Sequence, residues 1–313
     1  MKDYTAFFSK KLTICIGAVI CNALWGSAFP CIKTGYELFQ IASDDKYGQI
    51  VFAGIRFTLA GILTVLIGSV LNQRVLTVKR ENYPVVTKLA MLQTVIQYVF
   101  FYLGLANTTG VKSSILNSVN VFVALLISSL IFRMEHLDKK KILGCVLGFL
   151  GVILINLGDG GFGGGFQLTG EGFILLATVS YGFSTVMMKR YSNRELPIAL
   201  SGYQFVVGGV IMVLAGVLLG GRLHVSFVDV GMQGILLLFY LAFISAVAYS
   251  LWGTLLKYNP VSRVAIYGFL NPIFGVLLSA VILGESWESF GVKGIVALVL
   301  VCAGIFVTNW KKE

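Results

Sequence analysis

Charge is what this chain has least of: 12% of its 313 residues are Asp, Glu, Lys or Arg, about half the share of an ordinary soluble domain, so water is not its main solvent. Histidine is nearly absent. The two present, His136 and His224, fall in loops expected on opposite sides of a membrane, which excludes one shared metal or acid/base site. Five cysteines (Cys15, Cys21, Cys31, Cys145 and Cys302) are scattered without paired spacing, so neither a disulfide framework nor a zinc site is supported; they read as apolar packing residues. No Asp or Glu lies deep in an apolar run, and Glu135, Glu171 and Glu285 stand at run ends. A cation antiporter that exchanges protons needs a membrane-embedded carboxylate, so that mechanism is disfavoured, and no metal or cofactor is expected. Strict apolar/polar alternation is also missing, which excludes a membrane barrel and leaves helices to satisfy the backbone in lipid.

What the chain does have is apolar length. Hydrophobic residues make up 57%, and ten runs are long enough to span a bilayer as helices: 12–32, 50–71, 85–106, 114–132, 142–157, 173–188, 198–219, 235–256, 264–283 and 292–310. The first, preceded by Lys2, Lys10 and Lys11, also has the outline of a cleavable leader; its length and its counterpart later in the chain favour a span. The fold class expected is an all-α integral membrane protein with ten transmembrane helices.

The net charge of +10 does not point to nucleic acid, because its placement follows the positive-inside rule. Eighteen of the 24 Lys and Arg lie in one set of alternating termini, loops and adjoining run ends, five (Lys33, Lys46, Lys112, Arg222 and Lys293) in the other, and Arg56 alone falls well inside a run. Both termini are therefore expected in the cytoplasm, with the protein in the plasma membrane. A missed or invented span would swap every later loop and partly cancel the bias.

The chain also repeats itself. At an offset of 148 the second run lies on the seventh, matching Gly54 with Gly202, Phe57 with Phe205 and Gly61 with Gly209; at 151, Tyr98 meets Tyr249, Lys112 meets Arg263 and Asn120 meets Asn271. Trp25-Gly26 likewise faces Tyr181-Gly182 and Lys33 faces Lys189. The division expected is a five-helix repeat at 1–157, a Gly-rich outer linker at 158–170 and a second repeat at 171–313. Five is odd, so the second copy enters the membrane inverted, an architecture common among secondary transporters.

The segments NALWGSAFP, GIRF, YVFFYLGLANT, FLNPIFGVLLSAVILGE and GIVALVLVCAGIFV resemble the EamA branch of the drug/metabolite transporter superfamily over nearly the whole chain. The resemblance implies a ten-helix carrier of amino acids or other small metabolites, often outward. The family's fourth-span proline is Val121 here, and only the ninth span keeps it, as Pro272.

Several residues are candidates for transport. Pro30 and Pro272 should free the carbonyls of Gly26 and Gly268, giving either hinges with exposed carbonyls or static kinks. Polar and aromatic side chains recur at one-face spacing: Asn22 with Trp25, Gln93 with Gln97, Asn117 with Asn120, Tyr249 with Trp252, Tyr267 with Asn271. Together with Tyr98, Tyr181 and Gln204 they suit the lining of a substrate pocket; individually each is equally compatible with interhelical bonding. Arg56 marks either a clamp for a carboxylate or a side chain snorkelling outward. The glycines Gly144, Gly148 and Gly151 form a small-residue face suited to close packing within the chain, or to a dimer.

The expected function is secondary transport of a small neutral or zwitterionic metabolite, such as an amino acid, as an exporter working by alternating access, monomer or homodimer in the lipid bilayer; enzymatic activity is not expected. A membrane enzyme acting on a lipid-like substrate is the rival class, weakened because no nucleophile has an evident partner. A channel would want rings of like residues or a filter loop, neither of which is present in the sequence.

Overall fold

The computed structural model describes residues 5–134, 136–156, 166–192, 194–223, 228, 230–259, 264, 266–284 and 287–309. Glu135, His224, Arg263, Glu285 and residues 157–165 of the linker region lie outside them. The described residues are helical, with no strand among them, and each of the ten apolar runs carries a helix. These are α1 (Lys11–Leu38), α2 (Lys46–Leu71), α3 (Arg80–Ala106), α4 (Gly110–Ile131), α5 (Lys139–Asn156), α6 (Leu168–Tyr191), α7 (Pro197–Leu218), α8 (Gly231–Tyr258), α9 (Leu270–Leu283) and α10 (Trp287–Asn309). Eight are long and apolar enough to cross a membrane; α9 is shorter, and α5 opens on three lysines. Large apolar side chains such as Leu66, Val70, Leu214, Leu218, Val281 and Val299 point outward, a surface suited to hydrocarbon and not to water.

Local chemistry starts the helices where the runs begin. The Asp45 carboxylate accepts from the Gly48 amide (2.8 Å) at the start of α2, and the Thr109 hydroxyl accepts from the Lys112 amide (3.1 Å) at the start of α4, each satisfying an otherwise orphaned donor. Pro197 opens α7, where its missing N–H costs nothing.

Helices from the two halves of the chain pack on each other throughout: α2 on α7, α1 on α8 and α9, α3 and α4 on α6, and α5 on α10. Glycine sets the closest approaches. A methyl group built at Gly61 would stand 2.5 Å from the Val206 backbone nitrogen, and one at Gly209 would stand 2.5 Å from that of Thr58. Nothing but hydrogen fits there. On α5, a methyl at Gly144 would meet the Gly304 carbonyl at 2.6 Å and one at Gly151 the Ala297 carbonyl at 2.7 Å, so this small-residue face is occupied by α10 within the chain.

Of the two prolines, Pro30 lies in a helix interior as expected and Pro272 does not. α1 runs through Pro30 as one helix, and Gly26 lies against Phe274 and Gly275 of α9. Pro272 is not in a helix interior, because a tighter 3₁₀ turn (Ile266–Phe269) precedes α9 and leaves the proline in its first turn, where no amide donor is needed.

Candidate functional site

Between the helices lies a chamber of about 770 Å³, within the range of small-molecule sites. Eleven of the fourteen residues singled out in the sequence line it: Asn22 and Trp25 on α1, Arg56 on α2, Gln97 and Tyr98 on α3, Asn117 and Asn120 on α4, Tyr181 on α6, Tyr249 and Trp252 on α8, and Asn271 on α9. Gln93, Gln204 and Tyr267 do not. Gln204 is fully buried and donates to the Gln93 side-chain oxygen (2.6 Å), bonding α7 to α3. Tyr267 packs by Ile14, Ala18, Leu255 and Val264.

Both departures have a local cause. Residues 90–96 of α3 form a π-helix, whose wider i→i+5 turn breaks the i, i+4 coincidence of faces, so Gln93 meets α7 while Gln97 meets the chamber. Tyr267 lies in the 3₁₀ turn and Asn271 in the α-helix after it, so four residues no longer bring them onto one face.

Arg56 occupies the deep end. It is 3% exposed and bonded inward, with Nε donating to the Leu241 carbonyl (3.0 Å), Nη1 to the Tyr102 hydroxyl (2.6 Å) and Nη2 to Ser245 Oγ (3.0 Å). Its guanidinium carbon stands 4.8 Å from the Phe57 ring centre. The snorkelling alternative is overturned: the side chain is held inside the protein. Beside it the hydroxyls of Tyr98 and Tyr249 share a hydrogen bond (2.9 Å) between the two halves. Trp25 packs edge-on against Tyr249 (5.4 Å) and Trp252 (5.3 Å), giving an aromatic corner. Three buried polar atoms on the lining residues have no hydrogen-bond partner among the described residues: Trp25 Nε1, Gln97 Oε1 and Asn271 Oδ1.

The two ends of the chamber differ. Met134, His136, Asp138, Lys140 and Lys189 line one end and are exposed, so the chamber reaches the surface beside the basic loops. At the opposite end the halves touch: Lys112 of α4 pairs with Glu171 of α6 (2.8 Å), which also accepts from the Thr108 hydroxyl (2.8 Å) and the Gln167 amide (2.7 Å). Tyr36 adds a bond from its hydroxyl to the Tyr102 carbonyl (3.0 Å). Glu171, at a run end as expected, is 3% exposed.

Sequence reasoning missed Tyr102 and Ser245, which hold Arg56, and the charged mouth. Tyr102 lies four residues after Tyr98, a spacing that was legible. The mouth was not, since its lysines were counted only as orientation signals. Among the described residues no cluster of three His, Cys, Asp or Glu is placed to hold a metal.

The sequence model of the EamA-like transporter family matches residues 12–157 and 168–310. A protein of Methanothermobacter thermautotrophicus named "Uncharacterized transporter" is 30% identical over 74% of this chain and 66% of its own length. A "Probable amino-acid metabolite efflux pump" of Salmonella typhimurium is 26% identical over 93% of this chain and 92% of that one, and its namesake in Escherichia coli K12 is 25% identical over 94% and 95%. A solved crystal structure covers 95% of this chain and 96% of its own at a TM-score of 0.67 and 15% identity, a likeness of fold alone.

Proposed function

The chain belongs to the EamA-like transporter family, and from that premise we propose that this multi-pass membrane protein is a secondary carrier that exports a small neutral or zwitterionic metabolite, such as an amino acid, by alternating access. The observation that carries this reading is the chamber itself: polar and aromatic side chains from seven helices converge on one cavity, with a buried guanidinium at its closed end and a mouth at the other. The amino-acid class and the outward direction are supported by the names of the Salmonella and Escherichia relatives. In this reading both termini and the mouth face the cytoplasm, where positive-inside loops belong, and the protein acts on no chemical bond of its cargo.

The ten-span inverted repeat is part of the proposal, and the contacts of α2 with α7 support it. Gly54 lies against Gly209 and Gly61 against Gly202, so each glycine touches the counterpart of the other. A pseudo-two-fold axis in the membrane produces that reciprocity. Passage to the far side then requires the Lys112–Glu171 contact to part while the helices around the mouth close.

Reconstituted vesicles loaded with candidate amino acids test the carrier reading. Cargo should cross and be recovered unchanged, and Arg56→Ala and Trp252→Ala should each depress flux or affinity. If both variants transport like the parent protein, the site assignment is wrong; chemically altered cargo would favour a membrane enzyme.

A further inference from the structure

The charge around the chamber is one-sided. Arg56, Lys140, Lys141 and Lys189 line it, and the one acid among the described lining residues is Asp138, at the mouth, where its carboxylate already accepts from the Lys141 amide (2.8 Å). The buried carboxylate of this region, Glu171, is engaged by Lys112 at the sealed end.

Arg56 is therefore a desolvated cation whose hydrogen-bond partners are all neutral: a carbonyl, a phenol and a serine hydroxyl. A guanidinium has five N–H donors. Three are spent, which leaves one on each terminal nitrogen for an anionic acceptor. A buried charge without a counter-charge is costly, and a bound anion would offset that cost. The ammonium of a zwitterion would gain nothing comparable. The unsatisfied acceptors of the described lining are the neutral oxygens of Gln97 and Asn271, and the charged side chains of that lining are mostly cationic.

We infer that the chamber reads the carboxylate and not the ammonium, so that its preferred cargo is a net-negative organic monocarboxylate: its carboxylate on Arg56, a hydroxyl or amide N–H toward Gln97 and Asn271, and an apolar or aromatic body against Trp25, Tyr249 and Trp252. Hydroxy, oxo and N-acyl counterparts of amino acids belong to this class. The inference rests on the reading of the chamber as a cargo site and departs from that reading in one respect: the cargo carries one more negative charge than a neutral or zwitterionic amino acid.

A series matched in shape and differing in charge tests it: phenyllactate (anion), phenylalanine (zwitterion) and phenethylamine (cation). Binding to the purified full-length protein at neutral pH is followed by tryptophan fluorescence, which Trp25 and Trp252 report from the chamber wall, and transport is followed in vesicles. Phenyllactate should bind about tenfold more tightly than phenylalanine, as expected for one unfavourable charge pair at partly screened distance, and phenethylamine should not compete. Arg56→Gln should bring the phenyllactate-to-phenylalanine ratio close to one, and Arg56→Lys should preserve its direction. If Arg56→Gln fails to fold, the ratio in the parent protein decides alone. Phenylalanine binding as well as phenyllactate would overturn the inference and leave the carrier reading standing, as would failure of all three compounds while other amino acids cross. Failure of the three compounds and of all twenty amino acids to cross would overturn both.

Discussion

Helices α2 and α7 align residue for residue and lie against each other, yet they use the same position in opposite ways. Arg56 of α2 reaches the chamber with its charge unmatched by any carboxylate among the described residues; Gln204 of α7 is sealed in an amide pair with Gln93. The glycines on either side of these positions serve both helices alike. Close packing therefore tolerates different polar residues at the matched position, and Arg56 places a buried positive charge in a chamber whose mouth is already lined by Lys140, Lys141 and Lys189.

The comparison can be broken most completely at what the two helices share. Gly209→Leu forces side-chain atoms into the Thr58 backbone, which cannot yield as a flexible side chain would. The expected cost is about 3 kcal/mol or more, seen as loss of the monodisperse species in detergent gel filtration; a well-folded variant would mean that the crossing is looser than described.

Making the copies alike sharpens the contrast instead. Arg56→Gln removes a charge-assisted contact worth about 2 kcal/mol, roughly thirtyfold in affinity for a carboxylate cargo, while the thermal midpoint falls little. Gln204→Leu should do the reverse. It strands the buried Gln93 amide at a cost of about 1–2 kcal/mol, most of it recovered in the Gln93→Leu/Gln204→Leu double variant, with cargo affinity unchanged in both. A change in affinity there would move Gln204 from the seam to the site. The smallest effect is expected at the tyrosine pair, where Tyr98→Phe or Tyr249→Phe removes one interhelical bond worth about 0.6 kcal/mol; a double-mutant cycle on thermal unfolding measures it.

Where sequence reasoning succeeded and failed follows the local geometry. Asn22 with Trp25 and Tyr249 with Trp252 sit on uninterrupted α-helix, and both pairs reach the chamber as their spacing predicts. Gln93 with Gln97 straddles a π segment, and Tyr267 with Asn271 a 3₁₀ turn, and both pairs are split. Nothing in the residue types announced either change of pitch. Glu171 illustrates the same limit differently: its place at a helix end was legible, its burial against Lys112 and Thr108 was not, because those partners come from α4 and the turn before it.

By itself the sequence determined that this is a membrane protein, where its apolar helices run, and which polar residues they carry. Those properties depend on composition and on the rise and period of a helix, both local. Only the tertiary structure decided that eleven of those residues surround one chamber, that Arg56 faces it with no carboxylate partner among the described residues, and that one end is open while the other is latched. These depend on how helices distant in sequence are rotated and how closely they approach, and that is set by packing at their glycine contacts, where a displacement of one methyl group is enough to change which side chains meet.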